Sequence, residues 1–253
     1  MPTLTSERSG PAGAPRLVLA HGFTQNARCW SPVDVDLADD HEVVAVDLPG
    51  HGGSSHVTGD LIEAGRWLVQ AGGVGTYVGY SMGGRIALHG ALAAPEQVAR
   101  LVLVSATPGL TDADERQARR RADEQLADHL LTVGLPTFLE EWLALPLFAG
   151  LRPSAAHRDE RLNNTATGLA SSLRTEGTGT QAPLWDRLVA LTMPVLLVTG
   201  EQDTSFTAVA ARMATMLPDV RHVVVPHAGH TVHLEQPDAF VEVLRSWLAA
   251  VAG

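Results

Sequence analysis

Six short, unbroken apolar runs recur along the chain with helix-like segments between them, and this rhythm restricts the fold more than any other feature. The runs are LVLA (17–20), VVAVD (43–47), TYVGY (76–80), LVLVSA (101–106), PVLLVTG (194–200) and RHVVVP (221–226). They are continuous, not alternating, which is the pattern of strands covered on both faces. Between them, LIEAGRWLVQAG (61–72), GRIALHGALAA (84–94), TAVAARMATML (207–217) and AFVEVLRSWLAAV (239–251) read as helices. The alternation predicts an open, doubly wound, mostly parallel α/β sheet.

The rhythm stops between residues 107 and 190, where only helical patterns occur: a charged stretch at 112–131, amphipathic LPTFLEEWLALPLF (135–148), then 154–174. This segment reads as a helical cap inserted over the carboxyl edge of the sheet. The expected organisation is a core of residues 1–106 and 191–253 with a cap of 107–190, one catalytic domain in all. A formal net charge of −10 argues against a nucleic-acid or anionic-membrane partner. Cys29 is the single cysteine, so neither a disulfide framework nor a thiolate metal site is available. The opening MPTLTSERSGPAGAPR has no apolar run, and no stretch is long enough to span a bilayer. A soluble, cytoplasmic protein is expected.

Gly79-Tyr80-Ser81-Met82-Gly83 fits G-x-S-x-G directly after a strand and before a helix. Small flanking residues let the backbone turn sharply there and lift Ser81 off the sheet edge as a nucleophile elbow. A serine needs a histidine to take its proton and a carboxylate to orient that histidine. GEQD (200–203) follows one strand and offers Asp203, with Glu201 as the alternative. HAGHTVH (227–233) follows the next and offers His230, with His227 and His233 beside it. Both loops fall at the same sheet edge as Ser81, in the chain order Ser, acid, His. After the first strand, His21-Gly22-Phe23 has the place of an oxyanion loop, in which the backbone N–H groups of Phe23 and Met82 would stabilise a negative oxygen. The same residues could simply shape a turn. DLPGHGGS (47–54) reads as another strand-to-loop turn with a structural His51.

Arg85 lies in the first turn of the helix that follows Ser81. Helix N-termini favour anions by roughly 0.3–1 kcal/mol, so a cation is mildly out of place there. Either its side chain reaches solvent or it meets an anion. All 18 basic residues are arginine, whose planar fork suits carboxylates.

HGF, DLPGHGGS, GYSMGG, TGEQD and HAGHTVHLEQP resemble, in order, the motifs of the α/β-hydrolase superfamily across essentially the whole chain. A closer resemblance comes from GYSMGGRIAL, the cap segment TPGLTDADERQARRRADEQLADHL, EEWLALPLFAGL, and RLNNTATGLASSLRTEGTGTQAPLW. These are similar to the 2-succinyl-6-hydroxy-2,4-cyclohexadiene-1-carboxylate synthase (MenH) family, lyases of menaquinone biosynthesis. The resemblance implies that a ring proton is removed from 2-succinyl-5-enolpyruvyl-6-hydroxy-3-cyclohexene-1-carboxylate and that pyruvate leaves, with no cofactor. It implies that Ser81, tuned by His230 and Asp203, acts as base. It also implies a small tricarboxylate partner, gripped by Arg85, Arg119 and Arg161, with Trp142 walling the site and Tyr80 a further contact. Arg119 sits among Arg116, Arg120 and Arg121, so the register is open, and such a run also suits a solvated helix face. The rival readings are a carboxylesterase or carbon–carbon bond hydrolase of the same fold, and a non-catalytic binding module.

Overall fold

The computed structural model describes residues 2–251. Among them seven strands form one sheet in the order β1-β3-β2-β4-β5-β6-β7. The strands are β1 (Ser6–Ser9), β2 (Arg16–Ala20), β3 (Glu42–Val46), β4 (Gly75–Tyr80), β5 (Val98–Val104), β6 (Val195–Gly200) and β7 (Val220–Val225). Only β1 runs antiparallel, pairing Ser6 with Val46 and Ser9 with Val43 at the sheet edge. It is the strand missing from the sequence reading. Four polar residues, three of them exposed, give no apolar signal; the edge of β3 supplies the pairing.

The helices are α1 (Val33–Leu37), α2 (Leu61–Gly72), α3 (Met82–Ala93), α4 (Ala113–Val133), α5 (Leu135–Leu143), α6 (Arg158–Arg161), α7 (Ala166–Glu176), α8 (Thr204–Ala214), α9 (Val232–Glu235) and α10 (Pro237–Ala250). Continuous apolar strands make sense once both faces are followed. In β2, Val18 and Ala20 enter the core shared with α2, α3 and α8, while Leu17 and Leu19 enter the core shared with Trp30, α1 and α10. Each face takes alternate residues, and neither is left to water.

Between β5 and β6 the chain forms α4 to α7, which have an apolar cluster of their own: Ala127, Leu130, Phe138, Leu139, Leu169 and Leu173 are buried together. Phe23, from the loop after β2, packs against this cluster as well as against the sheet's core. The helical pattern over 154–174 holds two helices, α6 and α7, separated at Leu162–Thr165, with Thr165 capping α7 through the Gly168 N–H. The break lets Asn164 turn back toward the sheet, which matters for the site below. No described helix is long and apolar enough to cross a membrane.

Candidate active site

Ser81 joins β4 to α3 with φ 50° and ψ −110°, a conformation that costs a non-glycine residue about 1–3 kcal/mol. It is held from both sides: its N–H donates to the Val104 carbonyl at 2.8 Å, and its carbonyl accepts from the Arg85 N–H at 3.1 Å. The glycines permit close approach as well as the turn. A Cβ on Gly83 would lie 2.2 Å from the Ala20 carbonyl oxygen, and one on Gly79 would lie 2.5 Å from that of Gly83. The start of α3 therefore presses directly onto β2 and β4, and the serine hydroxyl projects at the sheet's carboxyl edge.

There, Ser81 Oγ is 3.2 Å from His230 Nε2, and His230 Nδ1 is 2.7 Å from Asp203 Oδ2. Asp203 caps α8, its Oδ1 accepting from the Phe206 N–H at 3.2 Å, so the carboxylate has no freedom to swing away. The His230 loop is braced by a residue the sequence reading did not single out. Glu235 is buried, and its two carboxylate oxygens accept from the Gly229 N–H at 2.7 Å and the Thr231 N–H at 2.9 Å, on either side of His230. The other candidates fall elsewhere. Glu201 accepts from the His227 N–H at the surface. The His233 ring lies between Trp30 and Tyr80, 4.5 Å from each, and burial holds it neutral with a pKa well below the usual range.

The loop after β2 is fixed by neutral histidines. His21 Nε2 accepts from the Leu48 N–H at 3.1 Å, so its other nitrogen carries the proton and donates to the Gly22 carbonyl at 2.8 Å. Burial lowers His21 to about 4 and His51 to about 3. Gly22 lies against the ring of Tyr80, where a Cβ would come within 2.4 Å. Among the described residues, neither the Phe23 nor the Met82 N–H donates a hydrogen bond. Two unused donors beside Ser81 are what an oxyanion requires.

The insert ties itself to this loop. Asn164 Nδ2 donates to the Thr24 carbonyl at 2.7 Å while its Oδ1 accepts from the Gly52 N–H at 2.8 Å. Asn26 Nδ2 reaches the Glu160 carbonyl at 2.7 Å. Arg161 belongs to the same joint. It is fully buried, with Nε donating to the Ala156 carbonyl at 2.7 Å and Nη1 to the Thr24 hydroxyl.

Between insert and sheet lies a cavity of about 290 Å³. Ser81, Met82 and His230 line it from the sheet side, and Phe23, Tyr80, Trp142 and Phe206 supply aromatic walls. Trp142 stacks on Phe138 at 6.0 Å and meets Phe23 edge-on at 5.2 Å. Arg85 and Arg119 line the same cavity; Arg161 does not. Arg161, expected as a substrate contact, packs instead against the loop after β2 through Thr24. Arg85 is buried, and its Nη1 donates to the Glu176 main-chain carbonyl at 2.7 Å. Burial, then the nearby Arg119 charge, lower its pKa to about 10, which leaves it a cation at neutral pH. Arg119 is half-exposed and donates through Nε to Asp123 at 2.7 Å. The neighbouring arginines turn elsewhere. Arg116 caps the carbonyls of Leu110 and Thr111, and Arg120 and Arg121 face solvent.

The wall holds one more ionisable group. Glu176, at the end of α7, is 1% exposed and lines the cavity. Its Oε2 accepts from the Ser172 hydroxyl at 2.7 Å, whereas Oε1 has no partner.

A hydrogen-bonded Ser–His–Asp series on the carboxyl edge of a parallel sheet under a helical insert defines an α/β hydrolase arrangement, and the alpha/beta hydrolase family model matches residues 17–243. A 2-succinyl-6-hydroxy-2,4-cyclohexadiene-1-carboxylate synthase of Escherichia coli O1:K1 is 34% identical over 94% of this chain and 95% of its own length. A Bacillus subtilis (strain 168) protein provisionally given the same name is 37% identical over 96% of this chain and 93% of its own. The solved structure of MenH from Staphylococcus aureus superposes with a TM-score of 0.91 at 30% identity, covering both chains completely. A thermophilic esterase from Thermogutta terrifontis superposes at 0.83 with 26% identity over 98% of this chain and 93% of its own. The chain belongs to the α/β-hydrolase family and, within it, to the family of 2-succinyl-6-hydroxy-2,4-cyclohexadiene-1-carboxylate synthases.

Proposed function

We propose that this protein is a lyase that eliminates pyruvate from 2-succinyl-5-enolpyruvyl-6-hydroxy-3-cyclohexene-1-carboxylate. The product would be 2-succinyl-6-hydroxy-2,4-cyclohexadiene-1-carboxylate, made for menaquinone biosynthesis. The observation that carries this reading is one cavity in which Ser81 and His230 share their walls with Arg85 and Arg119, in a chain of net charge −10. A small tricarboxylate would be repelled by such a chain unless its site were locally basic.

Ser81, His230 and Asp203 act as a catalytic triad. His230 takes the Ser81 proton, Asp203 holds the imidazole in the tautomer that can do so, and the Ser81 oxygen removes the ring proton. The electron pair moves into the ring to build the diene, the ring C–O bond to the enolpyruvyl group breaks, and the departing enolate takes up a proton to become pyruvate. The free N–H groups of Phe23 and Met82 polarise the succinyl ketone, so charge that develops beside it is held by fixed donors. Arg85 and Arg119 bind carboxylates and orient the ring, an effect that supplies several kcal/mol or more. Arg85 tolerates its helix N-terminus because an anion comes to it. Trp142 and Tyr80 flank the ring. Arg161 acts on the substrate only through the loop that carries Phe23. The chemistry needs no cofactor.

The rival is a serine hydrolase, since the same Ser81–His230 contact would activate the hydroxyl toward a carbonyl. Release of pyruvate from the enolpyruvyl substrate, followed together with the absorbance of the conjugated diene, separates the two. The lyase reading expects both signals to rise well above the spontaneous rate. A protein that leaves that rate unchanged but cleaves a p-nitrophenyl ester rapidly is a hydrolase.

A further inference from the structure

Glu176 is the one carboxyl in the cavity wall that is neither part of the Ser–His–Asp series nor paired with a cation. Asp123, the other acid there, is held by Arg119. Glu176 and Arg85 are joined, but through the Glu176 main-chain carbonyl, so the guanidinium does not neutralise the side chain. Its carboxyl spans two surroundings: Oε2 receives the Ser172 hydroxyl, and Oε1 is buried with no hydrogen bond. A buried polar atom left without a partner costs about 1–3 kcal/mol, so the structure is incomplete at this atom. A bound ligand that reaches the atom completes it.

The charges around it decide which kind of ligand. Arg85 faces it from α3 and Asp60 from the start of α2, Ser172 lies on its own helix, and Arg119 and Asp123 line the same cavity from α4. Burial is the largest influence and pushes Glu176 up to about 8, against the opposing effects of Ser172 and Arg85. At neutral pH the group therefore carries a proton. With the Ser172 hydroxyl donating to Oε2, the free oxygen is the place for that proton, and a hydroxyl there is a donor in search of an acceptor.

We propose that Glu176 is a further substrate-binding residue, which meets a substrate carboxylate as a neutral acid and donates a hydrogen bond to it from the oxygen that has no partner within the chain. This rests on the reading of the cavity as a carboxylate site. It makes the corner beside Arg85 and Arg119 a proton-counting subsite. When Glu176 is protonated the bound carboxylate has three donors; when it ionises, two carboxylates face each other and binding weakens. Arg85, with a pKa of about 10, remains charged through this range, so the change belongs to Glu176.

The test is calorimetric binding of 2-succinylbenzoate, a stable aromatic dicarboxylate with no enolpyruvyl group to eliminate, between pH 7 and 9. For the wild type the dissociation constant should rise about tenfold across this range, as follows when a group titrating near 8 must be protonated to bind. Measured above pH 8 in buffers of different ionisation enthalpy, binding should take up close to one proton. In Glu176→Gln, whose amide donates but cannot ionise, the pH 9 to pH 7 ratio should fall to about one and the proton uptake should vanish. A wild-type affinity that is flat from pH 7 to 9, or a Glu176→Gln protein with the wild-type pH dependence, overturns the proposal. Failure to bind the dicarboxylate at pH 7 overturns it too. The lyase reading fails separately: pH-linked binding without pyruvate release contradicts that reading and leaves Glu176 its role, and pyruvate release with pH-independent binding does the reverse.

Discussion

The two sides of the cavity are built by different rules. On the sheet side, Ser81, Asp203 and His230 each stand in a loop at the carboxyl end of a strand, and the parallel register brings β4, β6 and β7 to one edge. Position along the chain then nearly equals position in space. On the insert side, helix phase decides. Arg116, Arg119, Arg120 and Arg121 lie within two turns of α4, yet only Arg119 reaches the cavity. One residue of helix turns a side chain by about 100°, so a one-residue error of register exchanges a binding group for a solvated one. The strand-end site is robust to sequence detail, and the helix-borne site is sensitive to it.

The comparison can be broken most forcefully at the strand ends. Ser81→Ala should lower kcat for pyruvate release by about 10²–10⁴-fold, the range for removal of a positioned base. Next, Arg85→Ala and Arg119→Ala should each lower kcat/KM by roughly 10-fold to 10²-fold through loss of a charged hydrogen bond, whereas Arg120→Ala should match the wild type. An Arg120→Ala defect equal to that of Arg119→Ala would mean that α4 is rotated from the phase described above. At the joint between the two sides, Asn164→Ala removes bonds to Thr24 and Gly52 that are buried or half-buried. It should cost about 1–3 kcal/mol, which lowers Tm by roughly 2–10 °C and should lower kcat as well, since the Phe23 loop loses its tie.

The same contrast is sharpened through pH. His21 and His51, which brace the loop after β2, have folded-state pKa values depressed by burial to about 4 and 3. Between those values and about 6.5 the unfolded chain binds protons that the folded chain refuses, so stability falls as pH falls through this window and is flat above it. Each histidine contributes a slope of at most about 1.4 kcal/mol per pH unit. Thermal unfolding from pH 7.5 to 5 should show Tm level at first and then declining below about 6.5. A Tm that rises toward pH 5 would contradict neutral, buried histidines at this loop.

What was legible in the sequence follows the same division. Five of the six strands read from the sequence are buried, and they announce themselves because each face of the sheet takes alternate apolar residues; β7, expected to be buried too, is an edge strand in which only Val225 is fully buried. The glycines around Ser81 announce a turn that only small residues allow. β1 is hidden because SERS pairs through its backbone, with no apolar residue to mark it. Glu235 reads as one more surface acid at a helix start; only the folded loop shows it receiving the N–H groups on either side of His230. The break between α6 and α7, which sets where Arg161 and Asn164 meet the loop after β2, cannot be placed to the residue from periodicity. Glu176 gives no signal at all, because burial and not residue type makes it unusual.

The most direct test sets the two sides against each other in one protein. Arg85→Ala is assayed for pyruvate release from the enolpyruvyl substrate and, in parallel, for hydrolysis of p-nitrophenyl acetate, which has no carboxylate to grip. A lyase with a strand-end base and a helix-borne anion site predicts strong wild-type pyruvate release that falls by at least 10-fold in the variant, while any slow ester cleavage by Ser81 stays within about 3-fold of wild type. Wild-type-like pyruvate release by Arg85→Ala would contradict the account at its centre.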